Sequence, residues 1–280
     1  MPPPIKRAKP KLFGVRSNIQ EGTARLLGAS SIVLVVGAWC ICSYVQVTRN
    51  GESVPLVSHF FLPAPDEVLK SLIYLVYEKG LLQAIGTSTV RILKAFALSI
   101  AVALPLGIAM GTFQAVNRFF DPIVAPLRYL PITAFIPLLI LWFGIDESQK
   151  IAFLFLGTVV FLLPVVVDAI RAVPEELIQT SFTLGATRFQ VIRTVLIPAA
   201  MPQIFDSFRV MNAIAWTYII LAEIVNPQNG IGYILQLASQ HTKPEWSFAG
   251  IMVVGIIGII TDVAIRGVNR LLFNWREADA

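Results

Sequence analysis

Six long apolar runs, separated by short polar segments, constrain this chain more than any other feature of its sequence. Each run is about twenty residues long, enough at about 1.5 Å per residue for a helix to cross a hydrocarbon core about 30 Å thick. With 56% hydrophobic and 14% charged residues among 280, the chain is too apolar for a soluble domain of this length. The sequence therefore predicts an all-α integral membrane protein with about six transmembrane helices.

The predicted organisation has five parts. A basic, Pro-rich N-terminal tail at 1–25 precedes a first transmembrane helix at 26–47, which is predicted to be retained because no small-residue cleavage site follows it. Residues 48–90 form an external connection with a helix along the membrane surface, 91–275 hold the other five transmembrane helices, and 276–280 form a C-terminal tail. Those five helices are expected at 92–113, 122–144, 151–170, 208–225 and 248–272.

Basic residues are distributed unevenly around the predicted crossings. With the N-terminus inside, the inner segments hold thirteen Lys and Arg and the outer segments hold five. Because the cytoplasmic segments of membrane proteins carry the excess of basic residues, both termini are predicted to be cytoplasmic. Topology also accounts for the net charge of +5, so the sequence does not indicate a nucleic-acid partner.

Two crossings carry residues that bear on helix packing. The run at 122–144 contains four prolines and is predicted to be kinked or broken, either to open part of a pathway or for purely structural reasons. Gly107 and Gly111 lie four residues apart in the second crossing, a spacing that allows another helix to approach closely. Glycines that are merely tolerated would give the same pattern.

The segment 174–198 is the longest polar stretch between apolar runs, apart from the termini. A helix is predicted to begin at Pro174, with Glu175 and Glu176 near the positive end of its dipole. Gly185 is predicted to turn the chain in a left-handed conformation, and Pro198 to end a second short helix. The expected result is a compact helix–turn–helix outside the bilayer, on the cytoplasmic side.

This segment resembles the cytoplasmic loop of ATP-binding-cassette (ABC) importer permeases, which has the form E-A-A, three residues, G, nine residues, I-x-L-P. Here the triplet is Gln-Thr-Ser at 179–181, Gly185 follows at the right separation, and VLIP at 195–198 ends the pattern. The triplet departs from the acidic-alanine-alanine form. Other stretches that resemble the nitrate, taurine and alkanesulfonate branch of this family lie at 61–69, 104–111, 138–151, 215–225 and 229–235.

The resemblance implies a type I ABC importer permease fold and a non-catalytic subunit of an ATP-driven importer in a prokaryotic plasma (inner) membrane. It further implies a second permease subunit, expected to be an identical copy, two cytoplasmic ATPase subunits that bind ATP and Mg, and an external solute-binding protein. The solute would be a small anion such as nitrate, bicarbonate, taurine or an alkanesulfonate. The residues that the resemblance assigns to ATPase coupling are Gln179, Thr180, Ser181, Phe182, Leu184, Gly185, Arg188 and Pro198.

Polar and aromatic groups in the crossings are candidates for the wall of a pathway. Trp216, Thr217 and Tyr218 offer indole and hydroxyl donors that an anion can pass, although packing between helices explains the aromatic rings equally well. Glu223, near the outer end of the same crossing, is expected to be a solvated carboxylate, to pair with a cation of a neighbouring helix, or to line an outer gate. Asp262 and Arg266 are predicted to form an ion pair.

No catalytic or metal-binding pattern is present in the sequence. It contains no phosphate-binding loop, zinc-binding pair or nucleophile turn, and the histidines, His59 and His241, are expected at the surface. Cys40 and Cys42 are interpreted as packing residues.

A self-sufficient channel or secondary transporter is the alternative function, although only one Pro-rich break is present where paired repeats would give two. A membrane-embedded enzyme would need titratable groups that converge at one depth.

Overall fold

The computed structural model describes residues 19–49 and 52–273. The predicted C-terminal tail at 276–280 and most of the predicted N-terminal tail at 1–25 lie outside these residues. The chain divides into two compact units, Met1–Lys70 and Ser71–Ala280.

The described residues form eleven α-helices and one β-hairpin. The elements are α1 (Glu21–Tyr44), β1 (Gln46–Arg49), β2 (Glu52–Pro55), α2 (Pro65–Glu78), α3 (Leu81–Thr112), α4 (Gln114–Leu127), α5 (Ile136–Phe143), α6 (Glu147–Arg171), α7 (Glu175–Thr183), α8 (Arg188–Val191), α9 (Ile197–Ile224), α10 (Ile231–Gln240) and α11 (Pro244–Leu272). A 3₁₀-helix at Ile132–Phe135 precedes α5, and a π-helix at Ile192–Leu196 joins α8 to α9.

The first unit contains α1 and the hairpin. α1 is 24 residues long and contains an apolar window with a mean hydropathy of 2.1, and it ends at Tyr44, earlier than the predicted boundary at 47. The next residues instead enter β1, which pairs antiparallel with β2 so that Gln46 lies opposite Pro55. No strand was predicted here, because the apolar Val45 and Val47 continue the hydrophobic run and suit a strand as well as a helix.

The core of the second unit lies where α3, α6 and α9 meet. Its buried side chains include Met110 of α3, Leu163 and Val166 of α6, and Ile204 of α9. The close approach predicted for the second crossing is confirmed. A methyl group at Gly107 would lie 2.6 Å from Val166 Cγ1, and one at Gly111 would lie 2.7 Å from Ile170 Cβ. The two glycines therefore set the distance between α3 and α6.

The segment between α3 and α6 returns the chain from one end of the bundle to the other. α3 and α6 run in the same direction, since Arg91 contacts Glu147 at their first turns and Gly111 lies against Ile170 at their last. α4 and the helical stretch Ile132–Phe143 meet at 92°, which confirms that the third crossing is broken. The described residues hold five helices long and apolar enough to span a bilayer, or six if the bent pair is counted as one span.

Several helices extend beyond the predicted boundaries. α3 begins at Leu81 rather than at residue 92, after Gly80 has turned the chain at φ +64°. Its first turns are rich in hydroxyl groups, which lower their mean hydropathy. Some of these hydroxyls are satisfied within the helix, as where Thr87 and Thr89 donate to the carbonyls of Gln83 and Ile85. The sequence also did not predict α10.

Replacing Gly107 with alanine tests the contact between α3 and α6. We expect Gly107→Ala to lower the free energy of unfolding by about 1–3 kcal/mol, because the new methyl group overlaps Val166. Gly86→Ala is the control on the same helix, since a methyl group there meets nothing within 4 Å, and it should be neutral or stabilising by up to about 1 kcal/mol. Denaturant titration in detergent measures both; equal effects would contradict the account of this interface.

Candidate functional site

The coupling segment (residues 174–198) begins with α7. Glu175 and Glu176 lie in its first turn, directly after Pro174. Gly185 has φ +84°, which confirms the predicted left-handed turn. The amides of Gly185 and Ala186 donate to the carbonyls of Phe182 and Ser181 at 2.9 and 3.0 Å, the pattern that ends a helix at a left-handed glycine. The turn therefore has a fixed shape.

The second half of the coupling segment continues into the long helix that follows. Thr187 begins α8 with a capping box, in which its backbone N–H donates to Gln190 Oε1 at 2.8 Å. The π-helix then leads into α9, so Arg188–Ile224 forms one helical stretch of 37 residues. The prediction that Pro198 ends this helix was wrong. The five-residue π turns of 192–196 directly precede Pro198, which occupies the first turn of α9, where its missing N–H costs little.

Several large apolar side chains of the coupling segment are exposed at its surface. Leu184 and Phe189 are 83% and 69% exposed, and Phe182 is 46% exposed. On the inner side, Ile178 of α7 packs against the core and Val191 is buried. The segment is thus anchored on one face and presents apolar side chains on the other, as a docking surface would.

The polar triplet at 179–181 divides between surface and helix. Gln179 and Thr180 are exposed, as is Arg188 beyond the turn. Ser181 is half-buried, and its hydroxyl donates to the carbonyl of Leu177 at 2.7 Å. Ser181 is therefore already hydrogen-bonded within α7, whereas Gln179 and Thr180 present polar groups at the surface.

A groove of about 500 Å³ lies between α9 and α11. Arg209, on α9, donates to Asp262 of α11 at 2.7 and 3.1 Å. Arg266 donates to the same carboxylate at 2.9 Å, which confirms the predicted pair with Asp262. Two arginines share one aspartate, and the carboxylate of Asp206 also acts on Arg209. Arg209 was not singled out in the sequence, although a cation within an apolar crossing is itself a signal that a partner is present.

The aromatic pathway candidates lie on different sides of α9. Trp216 and Thr217 line the groove, but Trp216 is only 3% exposed and its indole N–H donates to Thr261 Oγ1 at 3.1 Å. Tyr218 packs edge-on against Phe153, with ring centroids 5.9 Å apart. Thr217 is exposed. A pathway along this groove would therefore meet the Thr217 side chain, while Tyr218 belongs to the contact with α6.

A buried charge cluster (Ser88, Arg91, Glu147, Glu223 and Asn229) joins four elements at the opposite end of the bundle. Glu223 is fully buried and accepts hydrogen bonds from Arg91 Nη1 and Ser88 Oγ, each at 2.7 Å. Arg91 also donates from Nε to Glu147 Oε2 at 2.6 Å and from Nη1 to the carbonyl of Asn229 at 3.1 Å. The interpretation of Glu223 as a solvated carboxylate was wrong. It pairs with a cation of a neighbouring helix, the second of the predicted alternatives.

The N-terminus of α10 completes the charge cluster. The backbone N–H of Gly232 donates to Glu223 Oε2 at 2.7 Å, and the N–H of Ile231 donates to Ser88 Oγ at 3.0 Å. A side chain at Gly230 or Gly232 would collide with Glu223, and Gly230 has φ +97°. Both glycines let the positive end of the helix dipole approach the carboxylate.

Lys150 also lies at this end, in the first turns of α6. It was predicted to lie in an outer connection, but it is 1% exposed and its ammonium is 4.0 Å from Glu147 Oε1. The neighbouring Gln149 is fully buried, and its amide has no hydrogen-bond partner among the described residues. The helix therefore begins earlier than its hydropathy indicates, with polar side chains already inside the bundle.

Both histidines hydrogen-bond within the chain. His241 Nδ1 lies 2.9 Å from the carbonyl of Leu237, and the two ring nitrogens of His59 approach Ser43 and Glu67. The Ser43 carbonyl, aided by the Glu67 carboxylate, raises the pKa of His59 above its usual value. No group of three metal-ligating side chains occurs within residues 19–49 and 52–273.

The first turn of α2 carries an ionised group outside the membrane-spanning segments. The Tyr44 hydroxyl and the Lys70 ammonium, which both hydrogen-bond to Asp66, lower the pKa of Asp66 to about 2. Asp66 is therefore ionised at neutral pH. It links the end of α1 to the first turns of α2.

Comparison with known proteins identifies the family. Residues 103–274 match the family described as binding-protein-dependent transport system inner membrane component. The chain belongs to this family. The permease is 31% identical over 231 residues to the taurine transport system permease protein TauC of Escherichia coli K12, covering 80% of this chain and 83% of that one. It is 32% identical over 226 residues to the putative aliphatic sulfonates transport permease SsuC of Bacillus subtilis 168, covering 80% and 81%.

A solved structure supports the fold. The permease resembles a chain of the methionine ABC transporter MetNI in an inward-facing conformation, with a TM-score of 0.56 and 21% identity, over 67% of this chain and 95% of that chain. The type I ABC importer permease fold is thus confirmed, as is an ABC permease subunit of the inner membrane with several membrane spans.

Two substitutions at Arg91's partners test the charge cluster. Glu223→Gln should lower the free energy of unfolding by about 3–5 kcal/mol, because it removes one charge of a buried pair and leaves Arg91 uncompensated on that side. The Glu147 side chain is 54% exposed, so Glu147→Gln removes the same charge from the same arginine at a cost of about 1 kcal/mol or less. Denaturant titration in detergent gives both values. A cost for Glu223→Gln no greater than for Glu147→Gln would contradict the cluster's buried character.

Proposed function

We propose that this permease imports a small anion, of the taurine, alkanesulfonate, nitrate or bicarbonate class, by alternating access driven by two cytoplasmic ATPase subunits. The observation that carries the proposal is the single helical stretch Arg188–Ile224. It begins in the coupling segment, lines the groove at Arg209, and ends in the charge cluster at Glu223. One helical stretch thus joins the exposed apolar side chains of the coupling segment to the groove.

The proposed orientation places the coupling segment and both termini in the cytoplasm. The excess of basic residues in the inner segments supports this orientation. Lys150 was counted in the outer segments but is buried, and leaving it out makes the excess larger. The ATPases bind ATP and Mg, and they dock on the exposed side chains of Phe182, Leu184 and Phe189. An external solute-binding protein delivers the anion at the end where the charge cluster lies.

Transmission of force requires a stiff connection. A helix of 37 residues is about 55 Å long at about 1.5 Å per residue, enough to span the membrane. Its outer end is fixed by three hydrogen bonds of Glu223 to two helices, α3 and α10, so displacement at the coupling segment pivots α9 about the charge cluster. The groove, which lies between the two ends, changes shape as α9 tilts against α11.

The groove offers an anion hydrogen-bond donors. Arg209 and Asp262 line it as an ion pair, and Asn212 and Thr217 add polar groups to the wall. A second copy of the permease, placed around the same path, would supply a second groove. The names of the relatives, which refer to taurine and aliphatic sulfonates, support an organic sulfonate as the first solute to test.

The turn at Gly185 is predicted to be necessary for coupling. Gly185→Val should reduce ATPase stimulation and uptake several-fold, because a β-branched residue at φ +84° costs about 1–3 kcal/mol of backbone strain. Gly185→Asn is the matched control, since asparagine tolerates this conformation and a side chain here meets nothing within 4 Å. Uptake and ATP hydrolysis in proteoliposomes measure the effect; normal coupling in the valine variant would contradict the assignment.

Arg209 is predicted to attract the anion. Arg209→Gln should lower uptake about tenfold, the effect of losing one charge-assisted hydrogen bond. Arg266→Gln removes the same charge from the same carboxylate but does not line the groove, so uptake should fall less than about twofold. Both variants should still assemble with the ATPase. Equal losses in the two variants would argue against a solute contact at Arg209.

The proposed function is tested by reconstitution. The permease, the ATPase that co-purifies with it and its solute-binding protein are placed in liposomes, and uptake of labelled taurine, an alkanesulfonate, nitrate and bicarbonate is measured with and without ATP. The proposal predicts uptake of at least one anion that requires both ATP and the binding protein. Conduction by the permease alone, without ATP, would favour the channel alternative and overturn the proposal.

A further inference from the structure

A second polar pocket, of about 510 Å³, lies at the end of the bundle from which the coupling segment extends. The C-terminal end of α3, the helix α4 and the last turn of α6 enclose it. Its polar lining includes Gln114, Asn117, Arg118, Asp121 and Arg171. None of these residues belongs to the groove or to the charge cluster, and the transport cycle proposed above does not use them.

The charges of this pocket are not balanced within the chain. Arg118 and Arg171 form no ion pair with any residue in 19–49 or 52–273, and Asp121 is the acidic residue of the lining. Each guanidinium presents a planar fork of donors that fits a phosphate group. The amides of Gln114 and Asn117 add neutral donors. The pocket is therefore equipped to bind a phosphate-like anion.

The pocket lies at the boundary of the membrane. Thr112 ends α3 and Arg171 ends α6, two helices that are long and apolar enough to span a bilayer, so both helices leave the hydrocarbon at this level. α4 begins here and carries apolar side chains both toward the core and at the surface. Phe120 and Val124 pack against the core, whereas Phe119 and Ile123 are 69% and 59% exposed. Exposed apolar side chains on a helix at the membrane boundary lie against lipid.

We propose that the pocket binds the phosphate of an anionic phospholipid in the leaflet on the coupling-segment side. Arg118 and Arg171 hold the headgroup, and the acyl chains lie along Phe119 and Ile123. Basic pockets at the ends of membrane helices bind anionic headgroups in this manner. The exposed apolar residues beside the cations favour a lipid over a soluble anion or an acidic surface of the ATPase. The proposal is independent of the solute.

The test compares lipids on the full-length permease in a neutral detergent. The melting temperature is titrated with phosphatidylglycerol, with phosphatidylcholine and with inorganic phosphate, and an apparent affinity is taken from each curve. Phosphatidylglycerol should bind with clear preference. Arg118→Gln and Arg171→Gln should each weaken it about fivefold, and the double variant about 25-fold. Arg270→Gln removes an exposed arginine at the same end of the bundle that does not line the pocket, and it should retain the preference.

Three results would overturn the proposal. Equal affinity for the two lipids would show that the pocket does not select an anionic headgroup. Stabilisation by inorganic phosphate, with no preference between lipids, would indicate a soluble anion. Unchanged lipid preference in the double variant, together with loss of the co-purifying ATPase, would indicate that the arginines contact the ATPase instead.

Discussion

The buried pair between Arg91 and Glu223 is the interaction on which one end of the helix bundle depends. A fully buried carboxylate is tolerated only where its charge is matched and its oxygens are hydrogen-bonded, and here both conditions are met by α3 and the N-terminus of α10. The same arginine reaches Glu147 at the start of α6. One compensated charge therefore fixes the positions of four helices, including the end of α9.

The other end of α9 is held differently, and this contrast gives the structure a direction for movement. The coupling segment is anchored by apolar packing at Ile178 and Val191, while its outer face remains exposed. Packing contacts can slide, whereas a buried ion pair with directional hydrogen bonds resists displacement. In the proposed transport cycle α9 tilts about its ion-paired end, which would change the shape of the groove between α9 and α11.

Sequence reasoning identified the features that depend on local chemistry. The membrane spans follow from apolar runs and the left-handed turn follows from Gly185. The spacing of Gly107 and Gly111 allows a close helix contact, which was one of two alternatives left open by the sequence. These outcomes need no knowledge of distant parts of the chain. The triplet at 179–181 departs from the family pattern, so its contacts still rest on resemblance.

The features that escaped prediction depend on partners far apart in the sequence. Glu223 looks like an interfacial carboxylate until Arg91, 132 residues earlier, is placed beside it. The polar first turns of α3 concealed a helix because hydropathy cannot show that Ser88 and Arg91 are satisfied by other elements. Pro198 looks like a helix end because the π turns that precede it have no recognised signal in the sequence.

Native mass spectrometry of the tagged permease, extracted gently from its own membranes, is the most direct test of the central claim that this chain is one half of the membrane path of an ATP-driven importer. The account predicts a complex of two copies of this chain with two ATPase subunits. A chain that is recovered without any ATPase, and that moves anions through liposomes in the absence of ATP, would contradict it.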